Sequence, residues 1–273
     1  MTSLSDAYLD DALAAALAAA DAAGAVIRPL FRRGIPADLK GDLSPVTLAD
    51  RTAEQVMRAV LGLRFPGHGI LGEEFGLTNP GAELRWVLDP IDGTRAFITG
   101  RPTFGTLIGL LEGDRPVLGI IDQCVTGERW IGIGGRRTVF SGPFGGQPGT
   151  RACPRLAEAE ISATSPEMFG PDLPRWQKLA SRARRISWGG DCYAYGLLAL
   201  GQIDIVAESD LKVWDWTALA PVIEGAGGKM TDWEGRPLGR ASEASGWKGR
   251  VLACGHPALH DEALAALAGS PAR

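Results

Sequence analysis

A change of pattern at a stretch rich in glycine and proline, residues 141–149, limits the possible folds more than any other feature. Before this stretch, two helical segments come first and a run of short apolar strands follows. After it, strands and helices alternate along the chain. Segregated elements are typical of α+β structure, and alternation is typical of α/β structure with parallel strands. We therefore predict an α+β part over residues 1–145 and an α/β part over residues 146–273.

Apolar periodicity places the elements of both parts. Leu9, Leu13 and Leu17 recur at four-residue spacing, which predicts a helix over about residues 5–31, and a second helix is expected over 50–63. Apolar runs bounded by turn residues predict strands at 69–72 and 84–88 and an antiparallel meander over 104–140. In the second part we expect strands at 161–163, 185–188, 203–207 and 251–254, with helices at 175–181, 194–200 and 217–225 and a short helix at the end.

Charge and composition argue against several classes of protein. The chain has 273 residues, with 28 Lys and Arg against 32 Asp and Glu, so no basic stripe is available to follow a nucleic acid. Its four cysteines form no C-x-x-C pair, which favours reduced thiols in a cytoplasmic protein. The alanine-rich N-terminus carries acidic residues where a signal peptide needs positive charge. We expect a cytoplasmic protein that binds neither nucleic acid nor membranes.

Carboxylates follow the ends of the predicted strands. Glu73 follows one strand, Asp89 and Asp92 follow the next in the run DPIDGT, and Asp215 comes just before a helix. Side chains at such positions can converge on one cleft, and oxygen donors without His or Cys select Mg²⁺ or Mn²⁺ over zinc. Taken alone, the run DPIDG is more typical of a simple turn than of a metal site, because Asp, Pro and Gly all favour turns. The preceding Glu73 and the following Thr94 favour the metal interpretation, and both interpretations stay open at this point.

Several motifs together resemble the inositol monophosphatase family of metal-dependent, lithium-sensitive phosphomonoesterases. They are GEE at 72–74, WVLDPIDGT at 86–94, WD at 214–215 and EGAGG at 224–228, in the order and spacing of that family. The stretch from DGTRAFITG to GERWIG, residues 92–132, resembles the histidinol-phosphatase branch more than true inositol monophosphatases. The resemblance covers about residues 40–238. It implies a layered αβαβα sandwich of the inositol monophosphatase and fructose-1,6-bisphosphatase type.

The resemblance also implies roles for single residues. Two or three Mg²⁺ ions, which Mn²⁺ could replace, would be held by four acidic side chains and by the carbonyl of Ile91. Gly93 and Thr94 would bind phosphate through their backbone N–H groups, at the start of a helix. Lys40 and its loop would close over the site and help a further metal, while Thr94 and Asp50 would orient and deprotonate the attacking water. The implied metal ligands are Glu73, Asp89, Asp92 and Asp215, and the implied catalytic set is Thr94, Asp50 and Glu73.

The implied substrate contacts distinguish this chain from inositol monophosphatases, which usually carry a small residue where Asp191 stands. A rim with Asp191, Glu208 and Asp210 suits an ammonium and an imidazole group better than a neutral polyol. A competing interpretation is that these acids only pair with Arg184 or Arg185. The full set of implied contacts is Gly93, Thr94, Arg95, Gly189, Gly190, Asp191 and Glu208.

The resemblance, with which the acidic rim agrees, thus implies a Mg²⁺-dependent phosphomonoesterase that hydrolyses L-histidinol phosphate, a step of histidine biosynthesis. Two metal ions can lower the pKa of a water molecule and stabilise the leaving alkoxide. The alternatives are an inositol-1-monophosphatase or a broad-specificity sugar or nucleotide phosphatase of the same family, and a non-catalytic binding protein with this fold. The presence of every implied metal-binding and water-activating residue favours an enzyme. The resemblance also suggests a homodimer, for which the meander could supply the contact.

Overall fold

Helices and sheets alternate in five layers in the computed structural model, which describes residues 4–33, 38–39, 45–46, 48–239 and 247–268. The first layer contains helices α1 (Asp6–Ile27) and α2 (Leu48–Arg64), which pack on each other and on a seven-stranded sheet. A middle layer of helices separates this sheet from a five-stranded sheet, and two further helices cover the outer face of the second sheet. The predicted αβαβα sandwich is confirmed.

Helix α1 presents a face of small side chains to its neighbours. Ala12, Ala16, Ala19 and Ala23 have no exposed surface, because this face packs against α2 and the sheet. By length and composition alone, the segment Asp6–Leu30 could also cross a membrane, with a mean hydropathy of 1.5. The position of the buried alanines is that of a core helix in this fold. The cytoplasmic location stays a prediction.

The first sheet carries the predicted meander. A separate two-stranded pair, β1 (Asp38–Leu39) with β2 (Pro45–Val46), precedes it in the chain. The strands of the sheet lie in the order β4-β3-β5-β6-β7-β8-β9; β3 runs parallel to β5, and β5 to β9 pair antiparallel in chain order. Their bounds are β3 (Gly69–Gly72), β4 (Gly76–Thr78), β5 (Leu84–Asp92), β6 (Gly105–Glu112), β7 (Arg115–Gln123), β8 (Glu128–Ile133) and β9 (Val139–Ser141).

Strand β5 differs from its predicted end at residue 88. It continues to Asp92, and its register against β6 shifts between Asp89 and Asp92. The run DPID, residues 89–92, is therefore the bulged end of a strand, and Gly93 follows it as a turn. Such bulges redirect side chains at the rim of a sheet. A short helix, α3 (Thr94–Ile98), follows directly, where the resemblance implied the start of a helix.

Three glycines let the middle layer approach the first sheet. Gly109, Gly119 and Gly132 are cross-strand neighbours on β6, β7 and β8. A Cβ atom at Gly119 would overlap the carbonyl of Ala218, and one at Gly132 would overlap Pro221. The middle helices α5 (Asp191–Ala199), α6 (Val213–Trp216) and α7 (Leu219–Gly225) thus lie close to the sheet.

The helix predicted from residue 217 is preceded by a separate short helix, from which a two-residue break divides it. Asp215 lies inside α6 rather than just before a helix, and α7 begins at Leu219. Pro221 explains the break, because its ring cannot donate to the carbonyl of Thr217 and would clash with it in a continuous helix.

The second sheet is mixed, with β10 parallel to both β11 and β12, and with β14 antiparallel to β12 and β13. Its strands are β10 (Glu160–Ala163), β11 (Arg185–Trp188), β12 (Ile205–Glu208), β13 (Lys229–Thr231) and β14 (Val251–Cys254), and its outer helices are α4 (Leu173–Ala180) and α8 (Pro257–Leu267). The core between the sheets includes Leu107 and Val206, one from each side of residue 145. That the two sides are separate domains stays a prediction.

Candidate active site

Three aspartates form an acidic cluster where β5 ends. The carboxylate oxygens of Asp89, Asp92 and Asp215 all lie within 4.8 Å of one another. Each carboxylate accepts a backbone N–H: Asp89 from Ile91 (3.0 Å), Asp92 from Cys192 (2.6 Å) and Asp215 from Lys212 (2.7 Å). Three different chain segments therefore hold the cluster in place.

Burial and mutual repulsion disfavour the charged form of this cluster. Burial raises the pKa of Asp89 and of Asp92 well above the ordinary range, and the charges of neighbouring acids raise both further. Burial also raises the pKa of Asp215 to about 7. Such a site takes up either protons or a cation. A set of carboxylate oxygens fits hard divalent cations such as Mg²⁺ and Mn²⁺.

Two further acids lie beside the cluster. The charges of Glu73 and Asp50 both raise the pKa of Asp89, which places these carboxylates in its electrostatic reach. Glu73 follows β3, and its backbone N–H donates to the carbonyl of Leu88 (3.3 Å) on β5. Asp50 lies on α2 with 2% of its surface exposed. The fold thus brings together the five acids of the implied metal-binding and catalytic sets, while Lys40 lies outside the described residues.

The turn after Asp92 has the backbone expected of a tight loop. Gly93 has a φ of 87°, in the left-handed region that favours glycine. The next residue, Thr94, starts α3, and its hydroxyl donates to the carbonyl of Ile91 (3.2 Å). The predicted carbonyl ligand and the predicted hydroxyl are therefore neighbours, and the pairing of Thr94 with Asp50 stays a prediction.

Asp191 lies directly over this turn. A Cβ atom at Gly93 would be 2.9 Å from the Cβ of Asp191. Asp191 has a φ of 45°, a conformation that costs a residue other than glycine roughly 1 kcal/mol or more. Its backbone N–H donates to Oγ1 of Thr164 (3.2 Å), and the hydroxyl of Thr103 lies 3.5 Å from its carboxylate. The predicted loop residues Gly189 and Gly190 precede it, so the loop predicted to contact the substrate reaches the turn at Gly93 and Thr94 that is predicted to bind phosphate (the phosphate turn).

Glu208 lines a small cavity beside the acidic cluster, together with Asp191. It ends β12 with 3% exposure, and its two oxygens accept from the N–H of Thr164 (2.8 Å) and from the hydroxyl of Tyr195 (3.0 Å). Burial raises the pKa of Glu208 to about 7. The cavity has a volume of about 90 Å³ and is lined in part by Asp92, Asp191, Glu208 and Asp215.

Basic residues do act on the rim acids, as the competing interpretation supposed, but they are not the arginines that it named. Arg185, which the competing interpretation paired with the rim acids, instead forms an ion pair with Glu160 (2.8 Å). Burial raises the pKa of Asp191, while the charges of Arg101 and Arg95 lower it. The exposed Asp210 pairs with Lys212 (2.7 Å).

Two residues that contact this region, Glu54 and Tyr195, are not among the residues predicted from the sequence, although helical spacing relates each to a predicted residue. Glu54 lies four residues after Asp50 on α2, and Tyr195 lies four residues after Asp191 on α5, so each shares a helix face with a predicted site residue. Their contacts depend on strands distant in sequence, which no local pattern reveals.

Comparisons with known proteins agree with this geometry. The model of the inositol monophosphatase family matches residues 9–271. The chloroplastic bifunctional phosphatase IMPL2 of Arabidopsis thaliana is 45% identical over 97% of this chain and 77% of its own. The histidinol-phosphatase of Mycobacterium tuberculosis is 36% identical over 94% of this chain and 98% of its own.

Solved structures show the same relationship. An inositol monophosphatase from Zymomonas mobilis is 48% identical and superposes with a TM-score of 0.85, covering 96% of this chain and 99% of that one. The extragenic suppressor protein suhB of Bartonella henselae, at 25% identity, has a TM-score of 0.83 over 94% of this chain and 98% of its own. This chain, a phosphoric monoester hydrolase, belongs to the inositol monophosphatase family.

Proposed function

We propose that this enzyme is a Mg²⁺-dependent phosphatase that hydrolyses L-histidinol phosphate to L-histidinol and phosphate. The observation that carries the substrate assignment is the position of Asp191, which lies over the phosphate turn and shares a cavity with Glu208. These two carboxylates lie outside the three-aspartate cluster. An ammonium group and an imidazole could form charge-assisted hydrogen bonds with them, whereas inositol carries no positive charge.

The metal ions would be held by Glu73, Asp89, Asp92 and Asp215 with the carbonyl of Ile91, as two or three Mg²⁺ ions or as Mn²⁺. When bound, they supply positive charge that neutralises the phosphate and makes water nucleophilic at neutral pH. The donor set supports this choice, because every side chain in it is a carboxylate.

The other predicted site residues would bind the phosphate group and orient the attacking water. The backbone N–H groups of Gly93 and Thr94 would hold phosphate oxygens, and the exposed Arg95 adds positive charge beside the same turn. The hydroxyl of Thr94 would orient the attacking water, and Asp50 would accept its proton. Holding water and phosphorus in line accounts for much of the rate in phosphoryl transfer, so these contacts matter chiefly in the transition state.

An inositol-1-monophosphatase or a phosphatase with broad specificity is the second candidate. It is favoured by the similarity to the Zymomonas mobilis enzyme and by the positive charges of Arg95 and Arg101, which offset part of the charge of Asp191. The histidinol-phosphatases among the relatives favour the first candidate.

Turnover of both esters by the purified enzyme tests the proposal. We expect kcat/KM for L-histidinol phosphate to exceed that for inositol 1-phosphate by at least about tenfold, the value of one charge-assisted contact. Equal or better turnover of inositol 1-phosphate would support the second candidate.

We also propose that the enzyme is a homodimer. Light scattering tests this, and the mass of a single chain would contradict it.

A further inference from the structure

We propose that Glu54, a buried residue of α2, is a positioning residue that fixes the backbone on the C-terminal side of Glu73 and so presents the Glu73 carboxylate to the metal site. This inference rests on the metal role proposed above for Glu73. Glu54 has no exposed surface. Burying a carboxylate is costly unless it is hydrogen-bonded, so the partners of Glu54 indicate what it does.

The partners of Glu54 come from the turn that contains Glu73. The backbone N–H of Glu74 donates to Oε2 of Glu54 (2.7 Å), and the N–H of Phe75 donates to Oε1 (3.2 Å). On the other side, the N–H of Glu73 itself donates to the carbonyl of Leu88, the residue before Asp89. The turn is therefore tied to α2 and to β5 at three successive amides.

Gly72 provides the space that this arrangement needs. A Cβ atom at position 72 would overlap Oε1, Cδ and Oε2 of Glu54. Glycine is required here by close approach, because the carboxylate of Glu54 occupies the volume of a side chain. The glycine before Glu73 and the glutamate on α2 thus form a matched pair.

Arg58, one helical turn further along α2, completes the contact. Its Nε donates to Oε1 of Glu54 (2.7 Å). Its terminal nitrogens contact the carbonyls of Ile70 on β3 (3.5 Å) and Gly76 on β4. The ion pair therefore binds both strands that flank the turn.

These contacts have a consequence for metal binding beyond stability. Replacing a buried ion pair with apolar residues is often neutral for folding, so stability alone gives no reason for a charged pair here. Groups that orient metal ligands typically change metal affinity by about 10- to 100-fold when they are altered. Because Glu54 fixes the turn that contains Glu73, we expect its replacement to weaken metal binding.

Calorimetric titration of Mn²⁺ into the substrate-free protein tests the proposal, with amide hydrogen exchange of Glu74 and Phe75 measured in parallel. Glu54→Gln keeps the shape, but its NH₂ group must face donors, so at least one hydrogen bond is lost. We expect Mn²⁺ binding to weaken by about tenfold or more and both amides to exchange faster. Gly72→Ala, whose Cβ displaces the carboxylate of Glu54, should weaken binding similarly.

Two reference variants separate the possible outcomes. Asp204→Asn removes a comparable buried carboxylate, which pairs with Arg151 and accepts the N–H of Glu160 (2.8 Å), and it should leave Mn²⁺ binding unchanged. Equal weakening by Asp204→Asn and Glu54→Gln would overturn the positioning role. So would normal binding by Glu54→Gln alongside weak binding by Glu73→Gln. Normal binding by Glu73→Gln would instead overturn the proposed metal role of Glu73, and the inference with it.

Discussion

Asp92 accepts a hydrogen bond of 2.6 Å from the backbone N–H of Cys192, which lies 100 positions later in the chain. The bond joins the bulged end of β5 to the first turn of α5. Because Asp191 immediately precedes Cys192, the same bond helps to fix Asp191 over Gly93. The acidic cluster and the proposed substrate contact are therefore coupled through one backbone segment, and their geometries are set together.

Asp92→Asn should nearly abolish phosphate release while leaving the fold intact. The asparagine oxygen can still accept the N–H of Cys192, whereas the proposed metal site loses an anionic ligand. Phosphate release in saturating Mg²⁺, with circular dichroism as the folding control, measures the effect. Wild-type turnover by this variant would contradict the metal assignment.

Without metal, the free energy of unfolding should fall as the pH rises from 6 to 8. The folded state holds the pKa of Asp215 at about 7 and raises those of Asp89 and Asp92, whereas in unfolded chains aspartates titrate near 3.9. The folded state therefore binds more protons in this range, and stability is lost as they dissociate.

Urea denaturation in EDTA and in Mg²⁺ tests this pH dependence. Saturating Mg²⁺ should make the free energy of unfolding depend less steeply on pH, because a bound cation compensates the ionised carboxylates. It should also raise the free energy of unfolding by mass action. Asp92→Asn should flatten the slope in EDTA. Identical slopes with and without Mg²⁺ would show that the cluster does not bind the ion.

Thr94→Ala should lower kcat far more than it raises KM, because orientation of the attacking water matters chiefly in the transition state. A purely structural role would instead cost about 1 kcal/mol of stability, through loss of the hydrogen bond to Ile91, with kcat unchanged. Steady-state kinetics beside thermal melts distinguish the two. Thr94→Ser, which keeps the hydroxyl, is the matched control and should retain most of the activity.

The sequence predicted the parts of the site whose signals are local. Asp89 and Asp92 belong to one short run, and the acids near them were found through motifs with fixed spacing. Glu54 was missed, because its importance arises only where α2 packs against the turn after β3. The strand β4 is three exposed residues long and has no apolar alternation to reveal it. The break before α7 does have a local signal, because Pro221 cannot donate a hydrogen bond to the carbonyl of residue 217.

Asp191→Asn should narrow the preference for L-histidinol phosphate over inositol 1-phosphate. Asparagine tolerates the positive φ at this position, so the backbone over Gly93 is expected to persist while the negative charge is lost. One charge-assisted hydrogen bond contributes about 1.5–3 kcal/mol, which predicts a loss of about 10- to 100-fold in kcat/KM for the cationic ester. Turnover of the neutral inositol ester should change much less. Asp210→Asn is the matched control, because Asp210 is exposed and paired with Lys212, and it should leave the ratio unchanged. A ratio unaltered by Asp191→Asn would mean that Asp191 does not contact the cationic end of the substrate.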